Sequence, residues 1–324
     1  MDDLADGLAD ERAVGTTSTV AKVRIGFGLG VRTRLNDDGF GVVVDALERL
    51  RFDSLWLSER IGGEAPDPLT ALAFAAGRTR KLKLGMSVMV LPGRNPIVLA
   101  KELATLDRLS NGRLLPAFGL GVVDPHEQQA FGVDRSARAK IFDEAFAVLR
   151  GAWAEGSLTH HGETFNYDEL TVLPKPRQHH LDVWLGGIAP SELRRVGRLA
   201  DGWLPSFVTP DDAARGRETI EVSLAEHGRT IDDDHYGVLI PYALGAVPEP
   251  IISGLAKRRP DLPDPRVLIP TGWEELLALV DRFVSVGTTK FVILPLVEPA
   301  GPEAWVEHLE QAAPLILPRQ ISVR

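Results

Sequence analysis

The feature that most constrains the fold is a regular alternation of short β-rich runs with longer segments of helical spacing. Strands that alternate with helices form parallel sheets. From Val23 onward there are eight such units, and they predict one α/β domain closed into a (β/α)8 TIM barrel with insertions after barrel strands. The predicted strands cover residues 23–30, 53–59, 82–91, 113–120, 181–187, 201–207, 235–244 and 289–296.

The predicted helix starts support the same architecture. Asp67 followed by Pro68 is typical of a helix start, because aspartate caps free N–H groups and proline suits the first turn, and Pro96 opens another helix in the same way. An open, doubly wound sheet is the alternative, but no G-x-G-x-x-G follows the first strand. The predicted helices cover residues 40–51, 67–80, 96–110, 138–155, 191–200 and 273–286.

Three segments stand apart from the repeating units. Residues 157–180 and the proline-rich stretch 246–272 exceed ordinary barrel connections, and long insertions after barrel strands usually build the active-site rim. Residues 1–22 are small and acidic and lack a sustained apolar period. We therefore expect an N-terminal extension over 1–22 and a barrel domain over 23–324.

Composition and charge exclude several classes of protein. The 324 residues contain no cysteine, which excludes disulfides, a thiolate nucleophile and Cys-ligated metal centres. The net charge of −9 argues against general binding to nucleic acid, although charges are screened only beyond about 8 Å, so a local arginine can still hold an anion. Because no stretch approaches about 20 apolar residues and no signal peptide opens the chain, we expect a cytoplasmic protein without a membrane partner.

In a barrel of this kind, the C-terminal ends of the strands mark the active site. Gly186-Gly187 closes one predicted strand and Ser191 stands at the start of the next helix, where free backbone N–H groups fit a phosphate. A Gly-Gly pair can equally serve only to turn the chain. A second strand ends in Gly119-x-Gly121, which is a weak motif by itself.

Charged side chains follow two of the predicted strands and are candidates for acid–base work. The alternative for the pair after the second strand is a simple ion pair between neighbours, and the alternative for the pair after the fourth strand is a solvated loop. These candidate catalytic residues are Glu59, Arg60, Asp124 and Glu127.

Motifs of other enzyme classes are not present in the sequence. The pairs His160-His161 and His179-His180 lack H-E-x-x-H or carboxylate spacing, so we predict no metal site. Neither a G-x-S-x-G elbow nor a G-x-x-x-x-G-K-[ST] loop occurs, which argues against a serine hydrolase and a P-loop enzyme.

Four stretches together resemble the luciferase-like flavin and deazaflavin oxidoreductases. They occur in the family's order and at familiar separations, mainly over residues 23 to 210. The long central stretch is far more specific than a short motif. The four are "LERLRFDSLWLSER", "DPLTALAFAAGRTRKLKLGMSVMVLPGRNPIVLAKELATLDRLSNGRLLPAFGLG", "AFGV" and "LDVWLGGIAPSELRRVGRLADGWLP".

The resemblance implies a barrel that binds FMN or coenzyme F420 at the C-terminal face of its strands. It implies a bulge in the third strand with a cis peptide at Ser87-Val88, against which the flavin or deazaflavin ring would lie, and it directs Arg94 toward anionic parts of the cofactor. The cofactor phosphate would lie on the loop after the fifth strand. The implied cofactor-binding residues are Ser87, Val88, Arg94, Gly119, Gly121, Gly186, Gly187, Ile188 and Ser191.

The residues of the central stretch resemble the F420-using branch of the family most closely. That branch implies hydride transfer between the deazaflavin C5 and a small organic substrate, with a homodimer left open. The alternatives are an FMN-dependent monooxygenase that uses oxygen, and a non-catalytic flavin-binding barrel. One departure from the branch is Glu59-Arg60, where many F420 enzymes have an Asp-His pair.

Overall fold

The computed structural model describes residues 22–35 and 38–320. The predicted N-terminal extension therefore lies outside the described residues, except for Lys22, whose Nζ lies 2.7 Å from a carboxylate oxygen of Asp234. The described part contains no helix with both the length and the apolar character needed to cross a bilayer.

The strands begin and end close to the predicted positions, but two of the predicted strands are divided. The third is divided into β3 and β4 and the fourth into β5 and β6, and an extra hairpin is formed by β7 and β8. The strands are β1 (Arg24–Leu29), β2 (Ser54–Leu57), β3 (Lys83–Met86), β4 (Met89–Val90), β5 (Leu114–Leu115), β6 (Ala117–Gly119), β7 (Leu158–His161), β8 (Asn166–Leu170), β9 (Trp184–Leu185), β10 (Gly202–Trp203), β11 (Gly237–Tyr242) and β12 (Lys290–Pro295).

The parallel strands form a closed ring. One sheet has the order β11-β12-β1-β2-β3-β5 and another has the order β10-β9-β6-β4, so each divided strand passes from the first sheet to the second. Parallel bridges from Trp203 to Tyr236 and from Ser206 to Leu239 join β10 to β11. The predicted (β/α)8 barrel is confirmed, and the open doubly wound sheet is wrong.

The six predicted helices are present with ends within two residues of prediction, and the caps explain several of their starts. Asp67 accepts a hydrogen bond from the Thr70 N–H at 2.9 Å, and Asn95 caps the helix that Pro96 begins. The helices are α1 (Gly39–Leu50), α2 (Pro68–Arg78), α3 (Pro96–Leu109), α4 (Pro125–Phe131), α5 (Arg138–Trp153), α6 (Pro190–Leu199), α7 (Pro210–Glu226), α8 (Glu249–Arg258), α9 (Trp273–Ser285) and α10 (Pro302–Ile316).

The two long insertions have secondary structure of their own. Residues 157–180 contain the antiparallel pair β7 and β8, and residues 246–272 contain α8 and a 3-10 helix over Pro265–Leu268. The helices α4, α7, α8 and α10 were not among those predicted: α4 and α7 begin with side-chain caps but lack a strong apolar period, and α8 and α10 have no side-chain cap.

The barrel lumen is filled by a small apolar cluster, separate from the large core between the sheet and the helices. Gly85 on β3 makes room for the indole of Trp56 on β2: an ideal Cβ on Gly85 would lie 2.4 Å from the Trp56 ring. Close packing of this kind determines which side of each strand faces the barrel axis. The buried members of the lumen cluster are Trp56, Ala117, Trp184, Leu204, Leu239 and Val292.

Candidate active site

The break between β3 and β4 lies at Ser87 and Val88, whose peptide bond is cis as predicted. The backbone N–H of Ser87 donates to the Leu57 carbonyl at 2.8 Å, and the Ser58 hydroxyl donates to the Ser87 carbonyl at 3.1 Å. The break is therefore tied to the C-terminal end of β2.

Glycines on neighbouring strands make room for the Val88 side chain. An ideal Cβ on Gly119, at the end of β6, would lie 2.6 Å from Cγ2 of Val88, and one on Gly186, just after β9, would lie 3.7 Å from Cγ1. Val88 also packs against the lumen cluster. Three residues predicted from separate strands therefore meet at the mouth of the barrel.

Glu59 and Arg94 form a partly buried ion pair at the loop after β4. The Glu59 carboxylate contacts the Arg94 guanidinium and accepts the Val90 N–H at 2.7 Å, while Nε of Arg94 donates to the Val90 carbonyl at 2.9 Å. Burial raises the pKa of Glu59, although the charge of Arg94 opposes this rise. Glu59 thus pairs with Arg94, and the alternative that it pairs with its neighbour Arg60 is wrong.

We expect Arg94→Ala to destabilise the protein by about 1–3 kcal/mol, because the Glu59 carboxylate, only 4% exposed, would lose its charged partner. Urea denaturation at pH 7 measures the loss. The double variant Glu59→Gln/Arg94→Ala removes the unpaired charge and should recover part of the stability. Equal losses in the single and double variants would contradict a stabilising role for the pair.

Asp124 and Glu127 have structural partners in the loop after β6. Asp124 caps α4, and its hydrogen bonds from the His126 and Glu127 N–H groups lower its pKa, with a further contribution from the charge of Arg60. Glu127 is 7% exposed and accepts the Gly62 N–H at 3.3 Å. The two carboxylates therefore hold α4 and connect it to the loop after β2.

Arg138, the first residue of α5, forms a hydrogen bond with Gly121 in the loop after β6. Gly121 has a φ of +81°, in the left-handed region that favours glycine, and its carbonyl accepts a hydrogen bond from Arg138 Nη1 at 3.1 Å. The sequence prediction included Gly121 but missed Arg138, which belongs to a helix that follows in the chain.

The loop between β9 and α6 binds a carboxylate from its own helix. The N–H groups of Ile188 and Ala189 each donate to Oε2 of Glu192 at 3.0 Å, and an ideal Cβ on Gly187 would lie 2.5 Å from the same atom. Ser191 is exposed. The predicted free N–H groups are therefore wrong for this conformation, because Glu192, in the first turn of α6, folds back as a cap.

The Glu192 carboxylate accepts both of these N–H groups, and cationic side chains lie within its electrostatic range. Burial lowers the pKa of both Arg138 and Arg258, and the charge of Glu192 partly opposes this lowering. Backbone N–H groups, a helix start and nearby guanidinium groups are the donors that phosphate prefers. The residues at this loop fit a phosphate if the Glu192 side chain moves away.

Sequence analysis missed Glu298, which follows β12 at the mouth of the barrel. Oε1 of Glu298 accepts a hydrogen bond from the Thr33 hydroxyl at 2.6 Å and would lie 3.3 Å from an ideal Cβ on Gly30. Burial raises its pKa, against the lowering effects of Thr33, of the Gly30 N–H and of Arg32. The available signal was a carboxylate two residues beyond the last predicted strand, 289–296.

The histidine pairs lie away from this mouth. His160 on β7 lies 3.3 Å from Glu144 on α5. His180 lies 3.0 Å from Asp201, and Asp182 is close to both. Asp201 already accepts the Val183 N–H and pairs with two arginines, which supply its counter-charge. These ion pairs and the hydrogen bond explain the cluster of His180, Asp182 and Asp201 without a metal ion.

Comparison with known proteins agrees with this geometry. The family model described as luciferase-like monooxygenase matches residues 39–258. The chain is 30% identical over 245 residues to a phthiodiolone/phenolphthiodiolone dimycocerosates ketoreductase from Mycobacterium sp. strain JLS, covering 70% of this chain and 61% of the relative. It is 31% identical over 170 residues to an F420-dependent glucose-6-phosphate dehydrogenase from Kineococcus radiotolerans, covering 48% of this chain and 49% of the relative.

Solved structures share the fold at low sequence identity. Monooxygenase RslO1 from Streptomyces bottropensis superposes with a TM-score of 0.75 at 19% identity, covering 92% of this chain and all of that one. An F420-dependent secondary alcohol dehydrogenase superposes with a TM-score of 0.71, also at 19% identity, covering 89% and 98%. The barrel and the matched family agree, and the family model spans more than half of the sequence. The chain therefore belongs to the luciferase-like monooxygenase family.

Proposed function

We propose that this chain is an F420-dependent oxidoreductase that transfers a hydride between the deazaflavin C5 and a small organic substrate. The observation that carries the proposal is its similarity to relatives named as a ketoreductase and as an F420-dependent dehydrogenase. Both names describe oxidation or reduction at a carbon that bears oxygen. Because the matches span about half to three-fifths of those relatives, the substrate is left at the level of a carbonyl compound or alcohol.

The residues at the barrel mouth have distinct parts in this proposal. Ser87 and Val88 would form the wall against the ring, with Gly119 and Gly186 leaving the space that this wall needs. The N–H groups of Ile188 and Ala189 would hold the phosphate once Glu192 moves. Arg94 would act through Glu59, by fixing the loop after β4, rather than as a free cation.

When bound, the deazaflavin supplies hydride chemistry at C5, and the protein supplies orientation, exclusion of water and a proton. The lumen cluster below the mouth is apolar and fully packed, so a ring at the mouth would be shielded from water on that side. A donor for the proton must come from the charged groups around the rim.

Titration of the apo protein separately with F420 and with FMN, followed by fluorescence, tests the proposal. We expect F420 to bind more tightly than FMN. Tight binding of FMN without measurable binding of F420 would instead favour the oxygen-using monooxygenase. Binding of a flavin without turnover of any alcohol, ketone or oxygen would favour a non-catalytic barrel.

We expect Glu192→Gln to strengthen F420 binding by about tenfold, or about 1.4 kcal/mol, because a neutral side chain competes less well than phosphate for the Ile188 and Ala189 N–H groups. The dissociation constant from fluorescence measures the change. Glu226→Gln, which changes an exposed acidic group at the C-terminal end of α7, is the control and should leave the constant unchanged. Weaker binding to Glu192→Gln would mean that Glu192 assists the ligand.

A further inference from the structure

We propose that Glu298 is the proton donor of this site and that its carboxyl group protonates the oxygen of a carbonyl substrate as a hydride reaches the carbonyl carbon. The inference rests on the proposed hydride-transfer function and extends it, because it assigns the proton to a residue outside the predicted catalytic set.

The face of β1 that looks into the lumen consists of glycines. An ideal Cβ on Gly26 would meet Trp56 of the lumen cluster, and one on Gly28 would lie 3.1 Å from Leu294, which packs on that cluster. Alternation along a strand places Gly30 on the same face, at the C-terminal end. Since Oε1 of Glu298 lies over Gly30, its carboxyl group is at the mouth of the lumen.

Two groups of the loop after β1 hold this carboxyl in place. The hydroxyl of Thr33, which is 0% exposed, donates to Oε1 at 2.6 Å, and the Gly30 N–H is a second donor. In the described residues Glu298 forms no ion pair, and although the charge of Arg32 favours its ionised form, burial is the larger effect and raises its pKa. A fixed, partly buried carboxyl whose pKa is raised by burial is suited to act as a general acid.

The other carboxylates near the mouth are committed to partners. Glu59 contacts the Arg94 guanidinium and the Val90 N–H. Asp124 caps α4, and the same hydrogen bonds lower its pKa, which favours its ionised form. Glu127 accepts the Gly62 N–H. Glu127 and Glu298 form no ion pair among the described residues, but Glu127 connects α4 to the loop after β2, whereas Glu298 lies over Gly30 at the mouth of the lumen.

A cavity of about 280 Å³ connects Glu298 with solvent. It lies between the loops after β11 and β12 and the helix α10. The side chains around it that carry or can carry charge are Tyr242, Glu307 and His308, while Arg32 acts from the β1 loop. Burial lowers the pKa of His308 to about 4, so His308 is neutral at pH 7. Glu298 lines the cavity, so water that enters it can return a proton to the Glu298 carboxylate.

The proposed step balances. A C–H bond forms between the hydride and the carbonyl carbon, the π electron pair of the C=O bond moves to oxygen, and an O–H bond forms as the O–H bond of Glu298 breaks. A bound reduced deazaflavin would supply the hydride as the reductant, and the ketone would be reduced to an alcohol. Glu298 is left ionised and recovers its proton from water.

Glu298→Gln tests the step, because a carboxamide cannot act as the acid. We expect the single-turnover oxidation of reduced F420 by cyclohexanone or acetone to slow by about 10²–10³-fold, with the F420 dissociation constant within about twofold of wild type. Glu307→Gln, which changes another carboxylate of the same cavity, is the matched control and should retain the wild-type rate. Glu298→Asp keeps an acid and should retain more activity than Glu298→Gln.

A second measurement uses the apo protein and needs no turnover. With 13C-labelled glutamate carboxyl groups, the NMR signal lost in Glu298→Gln should titrate above the range of an exposed glutamate, and Thr33→Val should move its pKa upward further. A wild-type rate in Glu298→Gln, or a signal that titrates normally, would overturn the proton-donor role alone. Wild type that fails to bind F420, or that binds it and reduces neither ketone, would overturn the carbonyl-reduction function and this proposal together.

Discussion

Asp53→Ala should lower the free energy of unfolding by about 3–5 kcal/mol, the cost of leaving a buried charge without its partner. Asp53 lies just before β2, and its carboxylate contacts the Nζ of Lys290 on β12, which is only 5% exposed. Lys83 and Arg24, at 3.4 and 3.6 Å, contact the same carboxylate from β3 and β1. Removing this one acid would leave three cations together at the base of four neighbouring strands.

Urea denaturation at several pH values measures this effect. Burial alone would raise the pKa of Asp53, but the charges of Lys290 and Lys83 lower it to about 2. Because the folded state holds the ionised form, this stabilisation is fully present above about pH 4 and is lost as the pH falls toward 2. Asp53→Ala should lack that part of the acid dependence.

The control for Asp53→Ala is Glu64→Ala. Glu64 pairs with Arg34, but the two side chains are 47% and 80% exposed, so its removal should cost at most about 1 kcal/mol. If the two variants lost similar amounts of stability, the buried position of Asp53 would not be the cause of the larger expected effect.

Gly85→Ala should destabilise the barrel by about 3 kcal/mol, at the upper end of overpacking costs. The new Cβ would be built 2.4 Å from the Trp56 ring, which is 0% exposed and whose Nε1 donates to the Ser54 hydroxyl at 2.8 Å. An indole held on all sides cannot turn away, so β3 must shift. Thermal and urea denaturation both report the loss.

Gly77→Ala is the matched control for Gly85→Ala. Gly77 lies in α2, and an ideal Cβ there meets nothing within 4 Å. The same chemical change should therefore stabilise the protein by about 0.5–1 kcal/mol, because alanine loses less conformational freedom than glycine in a helix. If both variants lost stability equally, packing against Trp56 would not be the cause of the effect.

The order of elements could be predicted from the sequence because it depends on local periodicity. Apolar spacing and caps such as Asp67 placed six helices within two residues of their observed ends, and eight strand-like runs predicted the number of barrel units. The family resemblance placed the cis peptide at Ser87-Val88. It also directed attention to Gly119 and Gly186, which meet at Val88 although they lie 67 residues apart (186 minus 119).

Contacts between side chains from distant segments were decided only by the tertiary structure. Arg94 was expected to face an anion, but the fold brings Glu59 from another strand into its reach and partly buries the pair. Glu298 lies over Gly30 because closure of the ring puts β12 beside β1, a pairing between the two ends of the domain. The sequence by itself determined the barrel and the end of it that carries chemistry, since both follow from local pattern, whereas the partner of each charged group depends on packing across the closed ring.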